Sequence, residues 1–330
     1  KYAIAAFNVI HDTNFEPQDI TKWDKDIKCD LIMHGSPCQD FSVAGKNAGG
    51  DEGSGTRSSL MYETLRIVGK IKPKYVIWEN VKNLLSKRHK HNFDAYIEAM
   101  EHLGYTNFYQ VLNAKDYGVP QNRERVFTIS ILGDATFKFP PRRPLTKRLK
   151  SVLEDNVDEK YYLSEKQIAS FKASTEKAMS KGNGFKFDPL ESGGGVAHTV
   201  ATRAGSRQTD NFIKEKNLCI KTANKKGYDI AKNGDGIDLA YPDSQTRRGR
   251  VGHGVSKTLP TSDSQGVLDC FRIRKLTPKE CYRLMGFDDA SFERASKVIS
   301  NTQLYKTAGN SIVVPVLEAI LVNLLKAKNG

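Results

Sequence analysis

In the first part of the chain, apolar residues occur either in short continuous runs or at the spacing of a helix. Residues 30–33 (DLIM) and 75–78 (YVIW) are short runs that end in loops, as buried parallel strands do. Residues 59–71, between them, carry apolar side chains near helical spacing, which predicts a crossover helix. The pattern repeats as a helix over 93–103 and a strand over 126–132. This alternation predicts an α/β domain built on a parallel sheet.

The pattern changes in the middle of the chain. From residue 140 to about 269 the sequence is rich in Gly, Ser, Asn, Lys and Thr and has few sustained periodic segments. Such a stretch is typical of a loop-rich second domain or of partial disorder. Short apolar runs at 217–221 and 236–241 favour an irregular folded domain.

Helical patterns return after residue 276. Thr277 is a predicted N-cap, followed by Pro278 at the first helical position and by Glu280 three residues after the cap. Residues 315–327 have the apolar spacing of an amphipathic helix. We therefore expect the C-terminal segment to fold back onto the first domain.

The composition is that of a soluble globular protein with room for two cores. Of its 330 residues, 38% are hydrophobic and 27% are charged. No stretch approaches the roughly 18 uninterrupted apolar residues of a membrane helix, and the first residues lack the basic, then apolar, then small-residue order of a signal peptide, so we expect a cytoplasmic protein. The net charge of +13 suits a polyanionic partner, but lysine-rich enzymes without such a partner are common.

The cysteines are scattered and include no C-x-x-C pair, which predicts neither a disulfide framework nor a metal site. Cys38 stands out because it lies in the loop GSPCQDFS, residues 35–42, after the first predicted strand. Ligands bind at this edge of an open α/β sheet, and a thiolate there is a candidate nucleophile. The other four are interpreted as small buried hydrophobic residues: Cys29, Cys219, Cys270 and Cys281.

Two further polar groups lie beside predicted strands. Glu79 follows the second strand in WENV, where it could reach the same ligand; the alternative is a helix-capping Glu-Asn pair. Arg123 and Arg125 lie two residues apart in QNRERVF, so in an extended chain they point to the same face. Paired guanidinium groups suit phosphate or carbonyl recognition, and solvated arginines are the alternative.

The order of these blocks resembles the DNA cytosine-5 methyltransferases. That family carries PCQ-x-F-S, ENV and Q-x-R-x-R-V-F in this order, and the blocks at 274–287 (RKLTPKECYRLMGF) and 305–316 (YKTAGNSIVVPV) agree with it. The resemblance implies the α/β fold class, with a Rossmann-like S-adenosylmethionine-dependent methyltransferase domain of mostly parallel sheet and a smaller irregular target-recognition domain. The expected division is a catalytic domain at 1–133, a target-recognition domain at 134–271, and a segment at 272–330 that returns to the catalytic domain.

The resemblance also implies roles for the candidate catalytic residues. Cys38 would add to carbon 6 of cytosine so that carbon 5 takes a methyl group, and no metal is needed. Glu79 would protonate or hydrogen-bond ring nitrogen 3. Arg125 would hold the carbonyl oxygen of the base, while Arg123 would brace the loop and contact phosphate. The cytosine would be rotated out of the duplex to reach them.

The methyl donor implied by the resemblance is S-adenosylmethionine, which leaves as S-adenosylhomocysteine. Asp19 would accept a hydrogen bond from the adenine amino group, with a simple turn residue as the alternative, and Ile20 would pack on the ring. Four further residues would complete the pocket: Pro37, Leu60, Asn310 and Ser311.

The family's glycine-rich F-x-G-x-G turn does not occur in this chain, which opens at Lys1. The resemblance implies that the first strand, this turn and the acid that grips the ribose lie upstream. Three explanations are open: the chain begins late, another polypeptide supplies the part, or the enzyme is truncated and inactive.

One predicted DNA contact region is the Gly-rich segment 40–57, which resembles the loop that closes over a flipped base. Arg57 would contact phosphate there; a plain flexible connection is the alternative. Some relatives carry a larger polar residue at the position of Ala44, so Gln39 and Ser42 are candidates to fill the gap left in the helix.

The other DNA contacts are expected in the target-recognition domain. Thr258 and Thr261, in KTLPTSDSQG, match the family's T-L-x-T element beside the target base. Basic runs at 142–150 and 247–250 could meet phosphates, although such runs are often solvated surface.

The expected partner is double-stranded DNA, which places the enzyme in the cytoplasm at the nucleoid. A cognate restriction endonuclease would share its cell without direct contact. No membrane is expected, and the protein would be a monomer unless another chain supplies the N-terminal part. Two alternatives stay open: the transfer-RNA branch of the same family, which the long variable region disfavours, and a catalytically silent DNA-binding or split-enzyme subunit.

Overall fold

The computed structural model describes residues 1–36, 57–215, 217–232, 235–239, 246, 250–253, 265–267 and 272–326. The helices among these residues are α1 Tyr2–His11, α2 Met61–Ile71, α3 Lys90–His102, α4 Glu165–Met179, α5 Pro278–Leu284, α6 Asp289–Ser296, α7 Asn301–Asn310 and α8 Val314–Lys326. The strands are β1 Leu31–His34, β2 Tyr75–Val81, β3 Tyr105–Asn113, β4 Gln121–Asn122, β5 Glu124–Leu132, β6 Leu190–Glu191, β7 Ala197–His198, β8 Phe212–Glu215, β9 Asn217–Lys221, β10 Tyr228–Lys232, β11 Gly236–Asp238, β12 Val251–Gly252, β13 Gln265–Val267 and β14 Arg272–Lys275.

The chain divides into two compact units. The first comprises Lys1–Arg148, His198–Thr202 and Cys281–Gly330, and the second comprises Leu149–Ala197 and Arg203–Glu280. The C-terminal helices α6, α7 and α8 thus belong to the same unit as the sheet formed by the first strands.

The first unit is built on a four-stranded sheet in the order β1-β2-β5-β3. β1 and β2 are parallel, and β5 runs antiparallel to both of its neighbours, so β1, β2 and β3 share one direction. The predicted α/β fold class is confirmed, and three of the four strands of this sheet share one direction. The connection from β3 to β5 contains only a short turn at Ala114–Tyr117 and the two-residue β4. A parallel return would need a crossover of a dozen or more residues, so β5 runs antiparallel to β3.

Helices α2 and α3 pack on this sheet through their apolar faces. Met61 and Val68 of α2 and Tyr96 of α3 are fully buried against Val76 and Trp78 of β2. Burying each large apolar side chain contributes roughly 1.5–3 kcal/mol relative to exposure. The crossover helix predicted over 59–71 is therefore confirmed as α2.

α5 begins with the capping box that the sequence predicts. The backbone N–H of Glu280 donates to Thr277 Oγ1 (3.2 Å), and the backbone N–H of Thr277 donates to Glu280 Oε2 (2.8 Å). Pro278 occupies the first helical position. All three predicted roles are confirmed.

The region Asn301–Lys326 has the length and apolar composition of a membrane span. It consists of two helices, α7 and α8, which are separated at residues 311–313. The apolar side chains of α8 that face the interior of the first unit are Val316, Ala319, Ile320 and Leu324. α8 confirms the amphipathic helix predicted for residues 315–327.

The second unit contains α4 and several small sheets, in keeping with the irregular second domain of the predicted fold class. Its buried polar centre is Arg274, which is fully buried and pairs with Glu280 (2.8 Å) and Glu215 (2.7 Å). Glu280 Oε1 also accepts from the backbone N–H of Glu154 (2.9 Å). The carboxylate of Glu280 thus serves the helix cap and the ion pair together, which accounts for the R-x-x-T-x-x-E spacing in this block.

Candidate active site

The carboxyl edge of β2 and the start of β5 bring an acid and an arginine together. In the antiparallel register, Val81 lies opposite Arg125 and Phe127 lies opposite Glu79, so Glu79 and Arg125 are diagonal neighbours on one face of the sheet. Arg125 Nε lies 3.1 Å from Glu79 Oε1. Only 12% of the Glu79 side chain and 15% of the Arg125 side chain are exposed. The sheet edge therefore holds a largely buried ion pair.

The protonation of Glu79 is set by competing effects. Burial raises the pKa of Glu79, while the charges of Arg125 and Arg123 oppose that rise. Burial dominates, so the pKa lies above its ordinary value and the carboxyl keeps its proton to a higher pH than an exposed glutamate. A protonated carboxyl can donate a hydrogen bond as well as accept one.

The chain that leaves β1 is anchored beside this pair. Ser36 Oγ accepts hydrogen bonds from Trp78 Nε1 (2.9 Å) and from Asn80 Nδ2 (3.2 Å). These two residues flank Glu79 in β2, and successive strand side chains point to opposite faces. A Cβ built on Gly35 would lie 3.5 Å from Glu79 Oε2, so the backbone after β1 passes against the carboxyl group.

Trp78 is itself held by aromatic side chains. Its ring centroid lies 4.0 Å from that of Tyr96 and 5.9 Å from that of His34, with the His34 ring nearly parallel to it. His34 Nε2 lies 3.1 Å from the hydroxyl of Tyr96. Burial lowers the pKa of His34 to about 3, so the imidazole is neutral at physiological pH.

Arg123 lies deeper than Arg125 and is only 4% exposed. Its guanidinium donates to the backbone oxygens of Val200 (3.2 Å), Gly309 (3.0 Å) and Ser311 (3.1 Å). These contacts fit the bracing part of the role predicted for Arg123. The other part, a contact with phosphate, stays a prediction.

Gln121 braces the same region. Its side-chain amide donates to Leu284 O (2.6 Å) and accepts from the backbone N–H of Val200 (2.9 Å), and it is fully buried. Gln121 and Arg123 together hold the segment His198–Thr202, which belongs to the first unit.

Gly309 of α7 is required by a close approach of the backbone. A Cβ at this position would lie 2.7 Å from Ala201 C and 2.7 Å from Thr202 N, closer than carbon atoms approach backbone atoms. The A-G-N-S block therefore lets His198–Thr202 lie against α7.

Asp19 is the N-cap of a short 3-10 turn, Ile20–Lys22, which agrees with the simple turn residue that the sequence left open as an alternative. Asp19 is exposed, and hydrogen bonds from the Thr21 hydroxyl (2.8 Å) and backbone N–H (3.0 Å) lower its pKa, so the carboxylate is ionised and can accept from an exocyclic amine. Arg66 of α2 donates to Ile20 O (3.0 Å), which ties this turn to the helix that follows Leu60.

Asn310 and Ser311 line a cavity of about 400 Å³ against α1. Tyr2, Ala6 and Phe7 of α1 supply its apolar wall. An apolar wall with an amide and a hydroxyl group suits a heteroaromatic ligand with polar substituents. The lining of this cavity does not include Asp19, Ile20 or Leu60, so the structure brings the predicted cofactor residues together only in part.

Several predicted site residues lie outside the described residues. They are Pro37, Cys38, Gln39, Ser42, Thr258 and Thr261. Arg57 begins a short 3-10 turn, Arg57–Leu60, that leads into α2, and only its backbone is described. The roles of these residues stay predictions.

Four residues of this region were not predicted from the sequence: Ser36, Trp78, Asn80 and Gln121. Each belongs to a block that was noticed for a neighbouring residue. Side chains alternate along a strand, so the sequence could have predicted that Trp78 and Asn80 lie on the face of β2 opposite to Glu79.

An α/β sheet with an acid and an arginine at the carboxyl edge of a strand fits an α/β enzyme, because ligands of open α/β sheets bind at that edge. A sequence model of the family C-5 cytosine-specific DNA methylase matches residues 1–326. The chain therefore belongs to this family and is a DNA cytosine-5 methyltransferase. The family uses S-adenosylmethionine as methyl donor.

Individual relatives agree. The chain is 37% identical over 300 residues to the type II methyltransferase M2.ScrFI of Lactococcus lactis subsp. cremoris, covering 91% of this chain and 67% of that protein. It is 30% identical over 398 residues to the orphan methyltransferase M.SPRI of Bacillus phage SPR, covering 98% of this chain and 90% of that protein.

Solved structures share the fold. The Dnmt2 methyltransferase of S. pombe superposes with a TM-score of 0.61 at 15% identity, covering 98% of this chain and 87% of that chain. The methyltransferase EhMeth of Entamoeba histolytica gives a TM-score of 0.58 at 14% identity, covering 100% of this chain and 88% of that chain.

Proposed function

We propose that this enzyme methylates carbon 5 of a cytosine at a specific sequence in duplex DNA, with Cys38 as a covalent nucleophile. The observation that carries the proposal is the Glu79–Arg125 pair, which lies beside the Gly35–Ser36 segment at one sheet edge. Cys38 follows Ser36 by two residues, and two residues of extended chain span at most about 7 Å. The thiol is therefore tethered by the sequence close to the acid and the arginine.

The thiolate is needed because carbon 5 of cytosine is a poor nucleophile. Attack of the Cys38 thiolate forms a sulfur–carbon bond at carbon 6 and turns the ring into an enamine, which makes carbon 5 electron-rich. After carbon 5 has taken the methyl group, loss of its proton re-forms the carbon 5–carbon 6 double bond and expels the thiolate.

Glu79 and Arg125 would stabilise the negative charge that the ring gains on thiolate addition. The protonated carboxyl of Glu79 would donate to ring nitrogen 3, and the raised pKa of Glu79 supports that role. Arg125, which already lies 3.1 Å from this carboxyl, would donate to the carbonyl oxygen of the same ring. Arg123 would keep the segment around them in place through its three backbone contacts.

S-adenosylmethionine supplies the methyl group when bound. Asp19 would accept from its adenine amino group and Ile20 would pack on the ring, as their exposure and hydrogen bonds allow. Pro37, Leu60, Asn310 and Ser311 would line the rest of the pocket, and Asn310 and Ser311 already line a cavity.

The target base would be rotated out of the helix, because a stacked base exposes neither face of its ring to a thiolate. The net charge of +13 would attract the phosphate backbone. The proposed DNA contacts are the residues that the sequence predicts for this role: Gln39, Ser42, Arg57, Thr258 and Thr261. The hairpin of β9 and β10 adds Lys225 and Lys226 at its turn, both exposed.

Arg250, the last residue of the run 247–250, is engaged within the protein. Arg250 is only 5% exposed, and its guanidinium donates to the backbone oxygens of Lys221 (3.0 Å) and Asp238 (2.9 Å). Arg250 therefore supports the second unit from within and does not face a phosphate.

The biological setting follows from the DNA substrate. The names of the relatives, type II and orphan methyltransferases, favour a role beside a restriction endonuclease that shares the target sequence, or a role without one. We infer a cytoplasmic enzyme that acts on DNA at the nucleoid.

Transfer of a tritiated methyl group tests the proposal. The enzyme is given labelled S-adenosylmethionine with either duplex DNA or transfer RNA, and Cys38→Ser is the matched variant. We expect label in duplex DNA only, and none with Cys38→Ser although DNA binding persists. Label in transfer RNA alone, or unchanged transfer by Cys38→Ser, would contradict the proposal.

A further inference from the structure

We propose that Ser36 is a positioning residue: its hydroxyl, held by Trp78 Nε1 and Asn80 Nδ2, sets where the Cys38 loop leaves β1 relative to Glu79. This inference rests on the proposed role of Cys38. The Ser36 side chain would not touch the substrate. It would determine whether the Cys38 thiolate and the Glu79 carboxyl can reach the same cytosine ring.

The indole N–H of Trp78, which donates to Ser36, is rigidly held. Trp78 is 1% exposed, and its indole is packed between His34, Tyr96 and Phe93, with centroid distances of 5.9, 4.0 and 6.0 Å. A side chain enclosed in this way has one accessible rotamer, because interiors are close-packed. The indole N–H therefore points in a fixed direction, and Ser36 Oγ lies 2.9 Å away along it.

Two hydrogen bonds, from Trp78 and from Asn80, fix the position of Ser36. Trp78 and Asn80 lie on the face of β2 opposite to Glu79, and both donate to the same oxygen. Two donors from positions on either side of Glu79 locate Ser36 along the strand as well as across it. Asn80 is 1% exposed, and its Oδ1 accepts from the backbone N–H of Val81 (2.8 Å), so this donor is also held in place.

Loss of the Ser36 hydroxyl would release the chain after β1 from β2. Gly35 lies against the Glu79 carboxyl, and Ser36 is bound behind it, so β2 holds the departing chain from both of its faces. Without the Ser36 hydroxyl, two buried N–H donors lose their acceptor, and the chain after β1 can shift away from Trp78 to let water reach them. A displacement of about 1 Å between reacting groups can lower a rate by as much as 100-fold.

The test compares Ser36→Ala with Ser36→Thr, which keeps the hydroxyl. We expect Ser36→Ala to lower the single-turnover rate of methyl transfer roughly 10- to 100-fold, with KM for DNA and for S-adenosylmethionine unchanged. The rate of covalent complex formation with a 5-fluorocytosine duplex should fall by the same factor. Ser36→Thr should restore most of both rates, and Trp78→Phe, which removes only the donor N–H and some volume, should resemble Ser36→Ala.

The matched control is Ser130→Ala. Ser130 is a buried serine of β5 in the same sheet, and its hydroxyl donates to Asn107 Oδ1 (2.6 Å). It should lose stability and keep the rates. Equal slowing by Ser36→Ala and Ser130→Ala, or a parental rate for Ser36→Ala, would overturn the inference.

The failure of this inference is distinguishable from failure of the proposed function. If Cys38→Ser abolishes transfer while Ser36→Ala retains the full rate, only the positioning role of Ser36 is wrong. If Cys38→Ser still methylates, the nucleophile itself is wrong, and Ser36 loses the group it would position.

Discussion

At the scale of single residues, the reactive geometry depends on where a few polar side chains are buried. Glu79 lies at a strand end with little exposure, and two arginines oppose the rise in its pKa without cancelling it. The folded state therefore favours the protonated carboxyl. Its contribution to stability is complete below the ordinary glutamate pKa and is lost as the pH rises through the raised pKa.

The pH dependence of turnover tests this account of Glu79. A step that needs the protonated carboxyl weakens as the pH rises through its pKa, whereas formation of the Cys38 thiolate strengthens, so kcat should show a bell-shaped profile. Glu79→Gln has the same size and cannot titrate. We expect it to lower kcat by about 100-fold or more and to remove the descending limb. A parental rate with an unchanged profile for Glu79→Gln would reject Glu79 as the acid.

At the scale of elements, the site is held by contacts between segments that are distant in sequence. Gln121 and Arg123 at the start of β5 bind His198–Thr202, and the same segment packs against α7 at Gly309. The Q-x-R block and the A-G-N-S block thus both contact the segment His198–Thr202, and all three belong to the first unit.

Substitution of Gly309 by alanine tests the brace. The new Cβ would lie 2.7 Å from two backbone atoms that cannot move aside without shifting the whole segment. We expect a loss of about 1–3 kcal/mol in the free energy of unfolding, measured by urea denaturation. Gly184→Ala is the matched control, since a Cβ there meets nothing within 4 Å. Equal stability of the two variants would show that the close approach at Gly309 does not exist in solution.

What could be predicted from the sequence was local. The capping box of α5 involves Thr277, Pro278 and Glu280, neighbours whose roles depend only on helix geometry, and all three were predicted correctly. The strands β1 and β2 and the helix α2 followed from apolar spacing. By contrast, Ser36 meets donors 42 and 44 residues further along the chain, and hydrophobic patterning carries no signal for such a pair.

The direction of β5 and the extent of β3 were not predicted for a related reason. Residues 105–113 include exposed polar and aromatic positions because β3 lies at the edge of the sheet among the described strands, next to β5. These residues therefore form no continuous apolar run. The reversal of β5 depends on the length of the connection after β3, and apolar spacing within a strand does not report its direction.

At the scale of the whole molecule, the excess of positive charge should dominate the energetics of DNA binding. The hairpin of β9 and β10 presents Lys225 and Lys226 at a turn that Asn224 stabilises through hydrogen bonds to Lys226 N–H (3.0 Å) and Tyr228 O (2.9 Å). A two-stranded ribbon of this kind fits the major groove of B-DNA. The hairpin is therefore expected to contact DNA directly.

The salt dependence of DNA binding tests that expectation. Replacing Lys225 and Lys226 by alanine should weaken binding and reduce the slope of log K against log salt by about 0.9 for each phosphate contact that is lost. Lys166→Ala with Lys172→Ala, two exposed lysines of α4, removes the same charge elsewhere. If both double variants change the slope equally, net charge alone is responsible and the hairpin is not a contact.

The proposed mechanism depends on a transient bond between the Cys38 sulfur and carbon 6 of an extruded cytosine. The most direct measurement is mass spectrometry of tryptic peptides after incubation with S-adenosylmethionine and a duplex that carries 5-fluorocytosine at the target position. Fluorine cannot leave as a cation, so we predict a stable adduct on the peptide that contains Cys38 and none with Cys38→Ser. An adduct on another residue, or no adduct when both ligands are fully bound, would contradict the account.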